Sequence, residues 1–143
     1  MQQPIYLERK YAAFCLFGGS GLGALGLQQA EADFRGVKGG FEILGSVDND
    51  PLACQDFEML TGTPATCLDL FDREQYRDWH GQEPGVDWQE VTLEQIRAAA
   101  KHQDPDLVLI TAPCKGLSGL LSQDKSDSRK YQARQLARRG FDP

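Results

Sequence analysis

Short apolar runs alternate with helix-like segments along this chain, and this alternation restricts the fold more than any other feature of the sequence. The predicted strands are residues 12–17, 41–47, 65–68 and 106–111. The predicted helices are residues 22–32, 51–60, 92–102 and 128–139. Strands that alternate with helices favour an α/β fold, in which a mostly parallel, doubly wound sheet is flanked by helices.

Two stretches interrupt the alternation. Residues 33–40 break the pattern after the first helix, and we expect an inserted loop or a frayed helix end there. Residues 69–94 are acidic and irregular. Two helix starts are better defined, because Asp50 can cap the second helix and Thr92 with Gln95 has the spacing of a capping box.

Length and charge limit the class of protein. The 143 residues suffice for one domain or part of one, and 41% of them are hydrophobic, enough for a packed core. No signal or membrane segment is evident, so we expect a soluble cytoplasmic protein without a membrane partner. The net charge is −6, but residues 120–143 carry +3, which leaves −9 for the rest. Only the C-terminal end could therefore attract phosphates, and a solvated helix face explains its charge equally well.

The cysteines and histidines form no metal-binding pattern. The cysteine spacings fit neither a zinc site nor a C-x-x-C redox pair, and a disulfide framework is not expected in a chain of this length. Both histidines lie in polar surroundings and are expected at the surface. We therefore predict no metal. The residues concerned are Cys15, Cys54, Cys67, Cys114, His80 and His102.

Residues that can bind a ligand or react follow each of the four predicted strands. Glycines follow the first strand, and Asp48, Asp69 and Cys114 follow the second, third and fourth. In open α/β sheets ligands bind at the carboxyl ends of the strands. The sequence therefore predicts one ligand site along this edge of the sheet.

The glycines and carboxylates at this edge suit a nucleotide-like ligand. Residues 21–26 match the G-x-G-x-x-G pattern of dinucleotide folds, and Asp48 follows at a distance suited to a ribose, so a nicotinamide dehydrogenase stays a possible class. However, Gly18, Gly19 and Ser20 intervene between the strand and this pattern. Asp69 can accept a hydrogen bond from an exocyclic amine such as that of adenine, although a helix cap or loop role is also open.

Cys114 lies in a turn that suits a nucleophile. Pro113 before it fixes one backbone angle, and Gly116 after it lets the chain pass close to a ligand. A small buried thiol is the alternative interpretation.

Four segments, taken in order, resemble motifs of the cytosine-C5 DNA methyltransferases. They are Phe17-Gly18-Gly19-Ser20-Gly21-Leu22 followed by Gly26-Leu27, Val47-Asp48-Asn49-Asp50-Pro51, Leu68-Asp69-Leu70 and Pro113-Cys114-Lys115-Gly116-Leu117-Ser118. The last is similar to the family's P-C-Q-G-F-S motif and is the most specific. The resemblance extends over most of the chain. Leu22, where the family has a glycine, and Lys115, where it has a glutamine, depart from the pattern.

The resemblance implies a Rossmann-like class I methyltransferase fold that binds S-adenosylmethionine. The cofactor would contact the first motif through Phe17, Gly18, Gly19, Ser20, Gly21 and Leu22. Asp48 would hold the ribose, with Asn49 near the adenine. Asp69 would accept from the adenine amine, with Leu70 beside it, and Pro113 would line the methyl-donor end.

The reaction that the family implies is DNA (cytosine-5-)-methylation. The Cys114 thiolate would add to C6 of a cytosine flipped out of double-stranded DNA, which makes C5 nucleophilic enough to take the methyl group. Loss of the C5 proton and elimination of the cysteine would release the product.

Later motifs of the family are missing from these residues. The glutamate of its E-N-V motif, its target-recognition region and its final cofactor motif are not present. We therefore expect residues 1–143 to be the N-terminal portion of one catalytic domain, truncated and inactive alone, from a bacterial or phage-encoded enzyme. An RNA (tRNA) cytosine-C5 methyltransferase and a non-catalytic cofactor-binding remnant are the alternatives.

Overall fold

A computed structural model of the protein describes residues 7–112. Over these residues it has five strands and four helices. They are β1 Leu7–Leu16, α1 Leu22–Gln29, β2 Glu31–Phe34, β3 Val37–Asp48, α2 Pro51–Thr61, β4 Ala65–Cys67, α3 Arg73–His80, α4 Leu93–Ala99 and β5 Leu107–Ile110. Pro113, Cys114 and the predicted helix at 128–139 lie outside the described residues.

The strands form one mixed sheet around β1 and β3. These two strands run parallel along their whole lengths, from Leu7 beside Val37 to Leu16 beside Val47. β5 pairs in parallel with the last part of β1. On the other edge of β3, β2 pairs antiparallel with its start and β4 parallel with its end. The predicted α/β class is confirmed, with a sheet of four parallel strands and one antiparallel strand.

The expectation of a loop or frayed helix end at residues 33–40 is wrong. This stretch forms the β2–β3 hairpin instead, and α1 has already ended at Gln29. The two turn residues, Arg35 and Gly36, have φ angles of 51° and 80°. A two-residue turn with positive φ at both positions matches the twist of the two strands that it joins.

The stretch interpreted as irregular contains a helix. α3 begins at a capping box, in which Asp72 accepts from the Gln75 amide at 2.7 Å and the Gln75 side chain accepts from the Asp72 amide at 3.0 Å. It ends at Gly81, which adopts a left-handed conformation. Local capping therefore defines both ends of this helix.

The predicted starts of α2 and α4 are confirmed. The Asp50 carboxylate accepts from the Leu52 amide at 2.9 Å, and Thr92 forms a capping box at the start of α4. α4 ends at Ala99, earlier than predicted, because Lys101 and His102 both have φ of 55°. None of the helices in the part of the chain described is long and apolar enough to cross a membrane.

Alternate residues of the two central strands supply apolar cores to opposite faces of the sheet. One cluster contains residues of α1 and α2 and comprises Ala13, Cys15, Ala24, Ile43 and Phe57. The other receives α4 and comprises Phe14, Leu44, Val47, Leu70 and Ala100. Burying the fully enclosed Phe57 contributes about 1.5–3 kcal/mol. The helices thus flank both faces and leave the carboxyl edge of the parallel strands accessible.

Gly45 controls how closely α4 approaches the sheet. It lies in β3 beside the register shift opposite Ala13 and Phe14, and a Cβ atom there would overlap the carbonyl oxygen of Ala99. We expect Gly45→Ala to lower the free energy of unfolding by about 1–3 kcal/mol, because backbone cannot yield as a flexible side chain can. Urea unfolding followed by circular dichroism measures this change.

Gly26→Ala is the matched control. A Cβ at Gly26, inside α1, meets nothing within 4 Å. Since alanine favours helix over glycine, this variant should gain up to about 1 kcal/mol. Equal effects of the two substitutions would contradict the role given to Gly45.

Candidate functional site

The candidate site lies where β1, β3 and β4 end side by side. The loop at residues 17–21 follows β1, Asp48 ends β3, and Asp69 follows β4 by two residues. The Leu68 amide donates to the carbonyl oxygen of Asp48 at 2.9 Å, which extends the pairing of the two strands toward Asp69. The structure therefore places the predicted glycine loop and both carboxylates along the same edge.

The glycine loop turns sharply and is attached to the strands on both sides of β1. The Gly18 amide donates to the Val47 carbonyl at 3.3 Å, and the Gly21 amide donates to the Gly18 carbonyl at 3.1 Å. On the other side, the Thr111 hydroxyl donates to the Phe17 carbonyl. Phe17 itself has a left-handed φ of 56°, which is uncommon for a residue other than glycine. Interactions with β3 and with the end of β5 thus hold the loop in a strained shape.

The surface of the loop is open at Gly19. This residue has φ of 53°, and a Cβ atom there would meet nothing within 4 Å. Gly21 caps α1 without any side-chain hydrogen bond, and the first amide bonded within the helix is that of Leu25, which donates to Gly21 at 2.8 Å. The backbone N–H groups of the first turn thus lack a side-chain cap, and a ligand acceptor could use them.

Asp48 joins the loop to the start of α2. One carboxylate oxygen accepts from the Gly19 amide at 2.8 Å, and the other accepts from the Asp50 amide at 3.1 Å. The side chain is only partly buried. A carboxylate has about four acceptor positions, so these bonds leave capacity for the hydroxyl groups of a ligand. Sequence reasoning had assigned Asp48 to a ribose but had missed its bond to the loop.

Asp69 is a half-buried carboxylate further along the edge. Burial raises its pKa above the ordinary value of 3.8, while a hydrogen bond from the Phe71 amide and the proximity of His80 act in the opposite direction. The Phe71 amide lies 3.2 Å from the carboxylate. The neighbouring Leu70 is buried in the core beneath the site.

The remaining predicted contacts differ in exposure. Ser20 and Asn49 are exposed, and the Leu22 side chain is 71% exposed at the start of α1. Phe17 is partly buried and packs against the core cluster on the α4 face. Pro113 and Cys114 remain sequence predictions, because they fall after the last described residue, Ala112.

Ser46 is a feature of the site that sequence reasoning missed. Its side chain is 1% exposed, and no described group hydrogen-bonds to its hydroxyl. It lies directly beneath Gly18, where a Cβ atom would overlap the Ser46 Oγ and approach a ring carbon of Phe57 to 3.2 Å. The sequence signal for this buried polar group was a serine within the apolar run of β3. This contact explains why the loop needs glycine at position 18.

No cluster of three or more metal-binding side chains occurs within residues 7–112. His80 and His102 are both exposed. His80 stacks on Tyr76, and His102 lies 3.5 Å from a Glu94 carboxylate oxygen. Comparisons with protein-family models, curated proteins and solved structures find no match to this chain.

The Gly18–Ser46 contact predicts non-additive substitutions. Gly18→Ala alone should lower the free energy of unfolding by about 1–3 kcal/mol because of the overlap. Ser46→Ala should be neutral or slightly stabilising, since it removes a buried hydroxyl without a partner. In the Ser46→Ala background, Gly18→Ala should cost at least about 0.5 kcal/mol less than in the wild type.

Urea unfolding of the two single variants and the double variant measures this coupling. Additive effects would show that overlap with the Ser46 hydroxyl is not the reason why position 18 requires glycine. Gly26→Ala in both backgrounds is the control for a general effect of adding a methyl group.

Proposed function

We propose that this chain is the cofactor-binding portion of a class I, Rossmann-like methyltransferase that uses S-adenosylmethionine. One observation carries the proposal. The parallel strands are ordered β4-β3-β1-β5 across the sheet. The chain therefore passes from β1 to β3 and β4 on one side of β1, and later to β5 on the other side. The glycine loop follows β1, where this order reverses. Open α/β sheets bind nucleotide-like ligands at such a switch point, outside the carboxyl ends of the strands.

The residues at the edge fit the chemistry of this cofactor. The Asp48 carboxylate retains acceptor capacity for ribose hydroxyls, and the backbone above Gly19 is open to a close approach. Asp69 would accept from the adenine amine. The free N–H groups at the start of α1 would bind a carboxylate, and the cofactor's amino-acid part carries one. When bound, S-adenosylmethionine supplies an electrophilic methyl group.

The substrate that we propose is a cytosine in double-stranded DNA. The motif around Cys114 supports this proposal, with Cys114 as the nucleophile that adds to C6 and makes C5 reactive. The thiolate is the active form, so a site that ionises the thiol is part of the proposal. β5 leads toward this motif, and the Thr111 amide donates to the Leu16 carbonyl at 3.1 Å. This bond fixes the chain at the glycine-loop edge just before the described residues end.

Asp48→Asn tests the cofactor assignment. The substitution keeps the size of the side chain but removes the charged acceptor, so we expect the Kd for S-adenosylhomocysteine to rise about 10- to 100-fold. Isothermal titration calorimetry measures the Kd, and circular dichroism checks that the variant folds. Asp56→Asn, at an exposed position of α2, should bind like the wild type.

Two results would overturn the assignment. One is an unchanged Kd in a folded Asp48→Asn variant. The other is binding of NAD without binding of S-adenosylhomocysteine, which would favour the nicotinamide dehydrogenase class instead.

Asp69 provides a test through pH. Its pKa is raised in the folded state, so between 3.8 and the higher folded value the folded protein binds more protons than the unfolded chain. The raised pKa means that protonated Asp69 stabilises the folded state. This contribution to stability is complete below the unfolded pKa and is lost as the pH rises through the folded pKa. Asp69→Asn should therefore be more stable than the wild type near neutral pH, yet bind S-adenosylhomocysteine more weakly.

Urea unfolding between pH 3 and pH 8 measures the difference in stability between Asp69→Asn and the wild type. The difference should grow with pH, whereas Asp56→Asn should show no such trend. A variant that gains stability and retains full affinity would remove Asp69 from the binding site.

A further inference from the structure

Two cysteines lie at the candidate site without a role in the proposed reaction. Cys54 is buried in α2, and Cys67 is exposed at the end of β4. The Cys54 thiol donates to the Asp48 carbonyl oxygen at 3.6 Å, and the Cys67 thiol donates to the Asn49 carbonyl oxygen at 3.7 Å. The two acceptors are consecutive backbone carbonyls, so both sulfurs lie on the same short segment of the chain. Both are therefore free thiols bound to adjacent backbone carbonyls.

The fold brings these thiols together from separate elements. Cys67 is the register partner of Asp48 in the parallel pairing of β4 with β3. Cys54 lies one turn into α2, where its amide donates to the Asp50 carbonyl at 3.0 Å. The capped start of α2 and the register of β4 thus fix both side chains on the segment at residues 48–50. Sequence spacing alone gave no sign of this pair.

We propose that Cys54 and Cys67 form a dithiol site that reacts with a small disulfide oxidant, such as oxidised glutathione, to form an internal disulfide. The Cys67 thiolate attacks one sulfur of the oxidant, which breaks its S–S bond and releases one glutathione thiolate. The Cys54 thiolate then attacks the Cys67 sulfur and displaces the second glutathione. The two protein thiols lose two protons and two electrons, and the oxidant becomes two glutathione thiols.

Exposure sets the order of the two steps. Cys67 is accessible to an oxidant, whereas Cys54 is buried. Burial raises the pKa of Cys54 to about 11; the charges of Cys67 and Asp48 act in the same direction, and the hydrogen bond to the Asp48 carbonyl acts against them. Cys54 is therefore a poor first nucleophile. It reacts second, when Cys67 already presents a mixed disulfide beside it.

The disulfide would alter the segment that carries the candidate ligand residues. Both S–H donors to the Asp48 and Asn49 carbonyls disappear. The two sulfurs must also come together to an S–S bond length of about 2 Å. β4 and α2 are then joined beneath Asp48. We expect a several-fold loss of affinity for S-adenosylhomocysteine on oxidation, a consequence that rests on the proposed function.

Peptide mapping tests the disulfide itself. The reduced, full chain is incubated with oxidised glutathione, the remaining thiols are alkylated, and the digest is analysed by mass spectrometry. We expect a Cys54–Cys67 disulfide in the wild type and in Cys15→Ser and Cys114→Ser. Cys54→Ser should stop at a glutathione adduct on Cys67. A lasting adduct on Cys67 in the wild type, or a disulfide that uses Cys15 or Cys114 instead, would refute the pairing.

Calorimetry with S-adenosylhomocysteine tests the coupling to the ligand site. The oxidised wild type should bind several-fold more weakly than the reduced protein, and dithiothreitol should restore the affinity. Cys67→Ser should show no change on the same treatment. Equal affinities with the disulfide mapped would overturn the coupling alone. Absence of binding in both states would overturn the proposed function and the coupling, and would leave the mapped disulfide standing.

Discussion

The parallel pairing of β1 with β3 is the interaction on which the rest of this structure depends. β5 attaches to β1, while β2 and β4 attach to the opposite edge of β3. The pairing continues past the strands through the bond from the Gly18 amide to the Val47 carbonyl. The register therefore decides which residues meet at the carboxyl edge. A slip of one residue would turn the buried side chains of one strand to the opposite face and would separate the loop from Asp48.

Asp48 lies where this ladder ends, and its position couples the shape of the loop to ligand binding. Its carboxylate holds the Gly19 amide on one side and the Asp50 amide on the other. A ligand that donates to the same oxygens must share them with these amides. The loop conformation and the affinity for hydroxyl donors therefore depend on one side chain. This is a direct reason why a carboxylate, with more acceptor positions than an amide, suits the site.

The features that could be predicted best from the sequence are those determined by local chemistry or by continuous burial. The strand cores around Phe14 and Leu44 are apolar on successive residues, as strands covered on both faces must be. β2 was missed because it has only four residues and all of them are exposed, so no core position marks the strand. The serine in β3 is visible in the sequence, but the lack of a partner for its hydroxyl is not. Nor could the sequence predict that the Cys54 and Cys67 thiols meet adjacent carbonyls, since this arises only when separate elements pack in register.

Features that reduce folding stability concentrate at this one edge. Phe17 has a left-handed backbone, Ser46 buries a hydroxyl without a described partner, and Asp69 is a carboxylate whose pKa burial has raised. The other non-glycine residues with positive φ in residues 7–112 lie in the β2–β3 turn and just after α4, where local turn geometry accounts for them. Strain and uncompensated burial persist where the surrounding fold holds them, and they cluster at functional sites. This clustering is a physical argument for a ligand at the carboxyl edge, and it is independent of any motif.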